Sequence, residues 1–216
     1  TSGAVYRALS LRGPSGPADL RTQLGVSQSA LQRAVAVERP QLLVVGRART
    51  TRYAARRTIE GVVSPVPVYE LDVAGTARHA LTLHPVEPFG FYVEGHVSDV
   101  TSGFHETSPA EIGPDAYCDL PWFLLDTKPS GFLGRAWLRA HSDQGYPAEL
   151  VRWSGDDVLR YASLYGTDLI GAFVLGPFAL ELVERNVPEA SAVQAGDEAS
   201  VYPVLAARAL AESPWG

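Results

Sequence analysis

An α+β fold is predicted for this chain by three observations: helical apolar spacing through residues 4–38, short alternating apolar runs from residue 41 onward, and a reversal of charge near residue 60. The first sixty residues hold ten basic side chains, all arginine, against Asp19, Glu38 and Glu60, a local charge of +7. Residues 61–216 hold the other eight basic and twenty-one acidic side chains, a charge of −13, so the overall −6 averages two unlike parts. A basic head on an acidic body is the pattern expected when one part meets nucleic acid and the other does not.

Composition bounds the remainder. With 216 residues, 46% of them hydrophobic, the chain can bury a substantial core and is expected to be a soluble globular protein of one or two domains. Its single cysteine, Cys118, allows no internal disulfide, which predicts a cytoplasmic protein. No leader pattern opens the sequence, and no apolar run reaches the roughly 18 to 20 residues that span a bilayer, so no membrane partner is expected. Methionine is absent even at position 1, from which a longer natural protein is expected.

The elements of the head follow in order. Val5, Ala8 and Leu9 share a face of a first helix over residues 4–12, which Gly13-Pro14 ends. A second begins at Pro17, carries Leu20 and Leu24 four apart, and stops at Gly25, a residue suited to the left-handed conformation. Ser27 is placed to cap a third, from Gln28 to about Glu38, with Leu31, Ala34 and Val35 inward. Its outward face offers Gln28, Ser29, Gln32 and Arg33. Two strands follow, Gln41 to Gly46 and Thr50 to Ala54, joined by Arg47-Ala48-Arg49. Helix, glycine turn, helix and basic hairpin predict a winged helix-turn-helix domain over residues 1–60. Its expected partner is double-stranded DNA, contacted by Ser27, Gln28, Ser29, Gln32, Arg33, Arg47, Arg49 and Arg52. Arginine suits both surfaces because its planar donors pair with phosphates and guanine edges.

The prolines at 65 and 67 mark a linker over residues 61–67. Beyond it, Val68 to Val73 and Ala80 to Leu83 read as a hairpin and Phe91 to Glu94 as a third strand, while residues 95–119 lack periodicity and read as a long loop. Helical spacing resumes at Pro121 and again from Phe132 to Leu138. Ser154 caps a further helix with Asp156 and Asp157 in its first turn. Leu169 to Leu175 reads as a buried strand, Phe178 to Val183 as another, and Tyr202 to Ala211 as a last helix.

No complete active site is visible. Asp156 and Asp157 are explained by the helix dipole, the five histidines lack metal-ligand spacing, and Cys118 lacks a nucleophile signature. There is no phosphate-cradling glycine loop, and Lys128 is the only lysine. No catalytic, cofactor-binding or metal residue is therefore assigned.

The wing from Gly46 to Ala54, the run Leu120-Pro121-Trp122-Phe123-Leu124-Leu125-Asp126 with Pro129 and Gly131-Phe132-Leu133-Gly134-Arg135, and Trp153-Ser154 through Leu159 to Gly166, Asp168, Gly171 and Gly176 together resemble the YjjJ branch of the HipA-type serine/threonine kinase toxins. That resemblance implies a small β-rich subdomain over residues 68–114 and an α/β portion of the N-terminal kinase lobe over residues 115–216. It further implies that the chain is the N-terminal part of such a toxin. Catalytic residues, ATP and Mg then belong only to the full-length parent, and the remainder of the kinase chain and a second copy, as a homodimer, are expected partners.

Two other readings stand beside it. One is a one-component DNA-binding transcription regulator whose acidic body senses a ligand or dimerises, which an apolar pocket among Trp122, Phe123, Trp137 and Phe173 would favour. The other is a small hydrolase using Cys118 or the scattered histidines His79, His84, His96, His105 and His141. The charge split also raises a contact between acidic body and basic head that restrains the head.

Overall fold

Residues 3–46, 50–72, 75–95, 111–113, 115–166, 169, 172–186 and 196–211 are described by the computed structural model. The first helix, α1 (Ala4–Arg12), ends at Gly13, whose N–H donates to the Leu9 carbonyl. Helix α2 (Pro17–Leu24) has proline in its first turn, where no N–H is required, and Gly25 closes it at φ 63°. Helix α3 (Gln28–Glu38) starts at Ser27, whose hydroxyl accepts from the Ala30 N–H at 3.3 Å.

These helices bury Val5, Leu9, Leu20, Leu31 and Val35 against Leu42, Tyr53 and Ala55 of a two-stranded antiparallel ribbon, β1 (Leu42–Val45) and β2 (Arg52–Ala55). Gly46 at φ 72° begins the connection, and a Cβ there would run into the carbonyl oxygen of Thr50. Ser15 and Tyr53 exchange two backbone hydrogen bonds of 2.9 Å, which lays the segment between α1 and α2 along the other edge of β2.

Among the described residues the larger sheet has six strands in the order β6-β7-β5-β4-β3-β8. They are β3 (Val66–Leu71), β4 (Ala77–Pro85), β5 (Phe91–Gly95), β6 (Glu111–Gly113), β7 (Ala116–Tyr117) and β8 (Phe173–Leu175), every neighbouring pair antiparallel. Alternate residues Val66, Val68, Leu81, Leu83, Phe91 and Val93 face one core. A run of 3-10 turns at Trp122–Thr127 brings Leu124 to that core, helix α4 (Gly131–Ala140) brings Leu138, and helix α5 (Gly155–Tyr165) brings Val158, Leu159 and Ala162. Each such fully buried aliphatic side chain contributes about 1.5–3 kcal/mol. Helices α6 (Pro177–Asn186) and α7 (Glu198–Ala211) complete the described chain, which is mixed helix and sheet.

Three expectations change. The segment Phe178 to Val183 is helix α6, not a strand: Ala179, Leu182 and Val183 recede at helical spacing while Phe178 and Glu181 stay exposed. Of the strand expected over residues 169–175, Phe173–Leu175 is strand, Leu169 and Ala172 are not, and Ile170 and Gly171 lie outside the described residues. Within the expected loop over residues 95–119, β6 and β7 form a short extension of the sheet. Runs of two and three residues are too brief to display a period.

Candidate nucleic-acid interface

The six described residues nominated for contact are all exposed. Ser27, Gln28, Ser29, Gln32 and Arg33 crowd the first two turns of α3, opposite the buried Leu31 and Val35, and Arg52 opens β2. Arg47 and Arg49 lie outside the described residues. Local bonds organise the α3 surface: the Ser27 and Ser29 hydroxyls are 3.1 Å apart, and Arg33 Nε donates to the Ser29 carbonyl at 3.4 Å. Such a helix start presents N–H groups, hydroxyls, amides and a guanidinium outward together, a set that serves phosphate oxygens and base edges alike.

Two residues that the sequence reading left unassigned position this surface. Glu38 is buried at the last turn of α3, where its Oε1 accepts from Gly3 N–H at 3.0 Å and Val5 N–H at 3.4 Å and its Oε2 from Tyr6 N–H at 2.7 Å. A carboxylate there satisfies the orphan donors of α1 and complements its positive end, tying α1 to α3. The signal was present, since Glu38 follows Leu31 and Val35 on the buried face.

Arg57 had no local signal, because its partner lies 99 residues away. Its guanidinium binds both carboxylate oxygens of Asp156 at the start of α5, Nη2 to Oδ1 at 3.0 Å, and also donates to the Val86 and Gly90 carbonyls, each at 3.2 Å. Arg57 N–H donates to Pro85 and Glu87 N–H to Ala55, so the end of β2 is laced to the loop after β4. Leu43, Ala54 and Val86 pack in the same joint. The acidic body therefore does contact the basic head, but it engages Arg57 and leaves the outward face of α3 open.

The other carboxylate, Asp157, closes a capping box with Ser154. Trp122, Phe123, Trp137 and Phe173 pack against the main core. Among the described residues no three His, Cys, Asp or Glu side chains are grouped to hold a metal ion. No described helix is long and apolar enough to cross a membrane.

Comparison with known proteins gives the lineage. A family model described as the YjjJ-like toxin, middle domain, matches residues 62–183, more than half of the chain. The chain is similar to Toxin YjjJ of Escherichia coli (strain K12), with 32% identity over 169 residues that cover 78% of this chain and 35% of that protein. It thus spans about a third of the length of that curated relative. No solved structure gives a significant match. A match that runs continuously from the end of the head through the sheet to α6 places this chain in the YjjJ-like toxin family.

Proposed function

We propose that residues 1–60 form a winged helix-turn-helix domain that binds double-stranded DNA, carried on the non-catalytic start of a HipA-like serine/threonine kinase toxin. The observation that carries this reading is the exposed polar face of α3, which follows the Gly25 turn and its Ser27 cap and groups Gln28, Ser29, Gln32 and Arg33. That geometry supports entry of α3 into the major groove, with the β1–β2 connection and Arg52 as the wing against the backbone or minor groove. The charge of +7 over these residues supplies the long-range attraction.

Residues 68–114 and 115–216 serve in this reading as the β-rich subdomain and the opening of the kinase lobe. Phosphoryl transfer from ATP with Mg, and toxicity through it, are activities of the parent protein, which acts in the cytoplasm. The remainder of the kinase chain packs on this body, and a homodimer presents two heads to the DNA.

A mobility-shift titration of duplex DNA with the chain and with the triple variant Arg33→Ala, Arg47→Ala, Arg49→Ala tests the proposal. The expected outcome is a loss of shift in the variant at unchanged thermal stability. Equal shifts for both proteins would remove α3 and the wing as the contact surface.

A further inference from the structure

Strand β4 turns Leu81 and Leu83 toward the core of the body, so His84, the next residue, faces the other side of the sheet. Opposite it on β5 stands Tyr92, which faces the same way between the core residues Phe91 and Val93, the two rings 6.4 Å apart. Tyr92 packs on the joint of Leu43, Ala54 and Val86. The face that carries His84 is therefore the one on which the head docks.

His84 is buried there, at 6% exposure. Its Nε2 lies 2.9 Å from Glu94 Oε2, and because a carboxylate only accepts, that nitrogen carries the ring proton. Nδ1 is then a bare acceptor, buried and without a hydrogen-bond partner. A second proton would have to sit on Nδ1, with no acceptor to meet it and with the charge of Arg56 nearby.

The charged and titratable groups around the ring come from both parts of the molecule. Glu94 and Tyr92 belong to β5, whereas Arg56 belongs to the head, where its N–H donates to the Gln41 carbonyl at 2.8 Å and its Nε to the Leu42 carbonyl at 3.1 Å. Burial is the main influence that lowers the His84 pKa, the Arg56 charge adds to it, and the hydrogen bond and charge of Glu94 oppose both. The Tyr92 hydroxyl is pushed up by burial and by Asp115 and Glu94, so it stays neutral. A docked head thus covers the ring and brings Arg56 to it, while Glu94 stays beside His84 on the sheet whether the head is docked or not. Linkage runs both ways: a head that disfavours the proton when docked is loosened when the proton binds.

We infer that His84 is a proton-sensitive latch between the two parts: uptake of a proton from solvent at Nδ1 loosens the head from the toxin body. Docking is at full strength above about pH 6.5 and weakens as the pH drops through the lowered value of the docked state. The latch concerns the joint alone, so it stands whether or not the head binds DNA.

Amide exchange at about pH 7.5 and about pH 5, corrected for intrinsic rates, reads the joint at two N–H groups that cross it. These are Arg57 N–H, bonded to the Pro85 carbonyl, and Glu87 N–H, bonded to the Ala55 carbonyl. Both should lose protection severalfold at the lower pH, while Gly176 N–H, bonded to the Pro67 carbonyl beside the edge strand β8, loses less. In His84→Gln the loss at the joint should vanish. Glu94→Gln changes a side chain that is 71% exposed, so the fold is kept, and the loss should move to lower pH because the charge that favours the proton is gone. Protection at Arg57 and Glu87 that does not respond to pH, an equal loss at Gly176, a loss that persists in His84→Gln, or one that keeps its pH in Glu94→Gln would overturn the inference.

Discussion

Glu38 illustrates how helical periodicity can deliver a charge to the interior. Placed three residues after Val35, it points at the start of α1 and accepts three backbone N–H groups there. Replacing it with alanine should destabilise the chain by about 2 kcal/mol, because hydrogen bonds to a charged acceptor are lost while partly buried N–H groups remain. A lowered urea midpoint, with faster amide exchange in the first turn of α1, checks this. His84 adds a pH dependence. It is buried on β4, where desolvation lowers its pKa below the ordinary 6.5, assisted by Arg56 and opposed by the hydrogen bond and charge of Glu94. The unfolded chain takes up the His84 proton first, so stability is full above about pH 6.5 and falls as pH drops through the lowered folded value. Urea midpoints from about pH 7.5 down to 5 should show that decline, and His84→Gln should flatten it.

At the scale of elements, α5 was the most readable start in the chain. Ser154 followed by two acids announced a cap, and Ser154 and Asp157 do close a capping box. Ser154→Ala should cost about 1 kcal/mol of stability, read from thermal melts followed at the adjacent Trp153. The three head helices were readable for the same reason: cap, glycine stop and apolar spacing all lie within one segment. Helix α6 was not, because a short apolar run has no period that separates strand from buried helix until its packing is known. Neither β6 nor β7 is long enough to alternate. The outward face of α3 could be named from sequence, whereas the residues that hold α3 and the ribbon in place required either three-dimensional register, as with Glu38, or a distant partner, as with Arg57.

Across the whole molecule, the Arg57–Asp156 pair joins the basic head to the acidic body. Arg57 is the sheltered partner at 13% exposure, and its guanidinium holds both oxygens of the more open Asp156, a two-point geometry that distinguishes the pair from an ordinary surface ion pair. Arg57→Ala should uncouple the two parts, turning one calorimetric unfolding transition into two. The exchange of Arg57→Asp with Asp156→Arg should restore a single transition in part. If Arg57→Ala keeps one transition, the joint rests on the Leu43, Ala54 and Val86 contacts instead. Such coupling links the orientation of α3 to the fold of the toxin body, so that a change in one part is felt by the other.

The salt dependence of duplex binding, measured by fluorescence anisotropy between about 50 and 200 mM salt, tests the central claim most directly. A DNA-binding head requires the logarithm of the affinity to fall linearly with the logarithm of salt, and each arginine moved off a phosphate to lower the magnitude of the slope by about 0.9. The expected result is a steep slope for the intact chain that becomes shallower in Arg33→Ala and in Arg52→Ala. No binding at about 50 mM salt, or one slope common to the intact chain and both variants, would contradict the account.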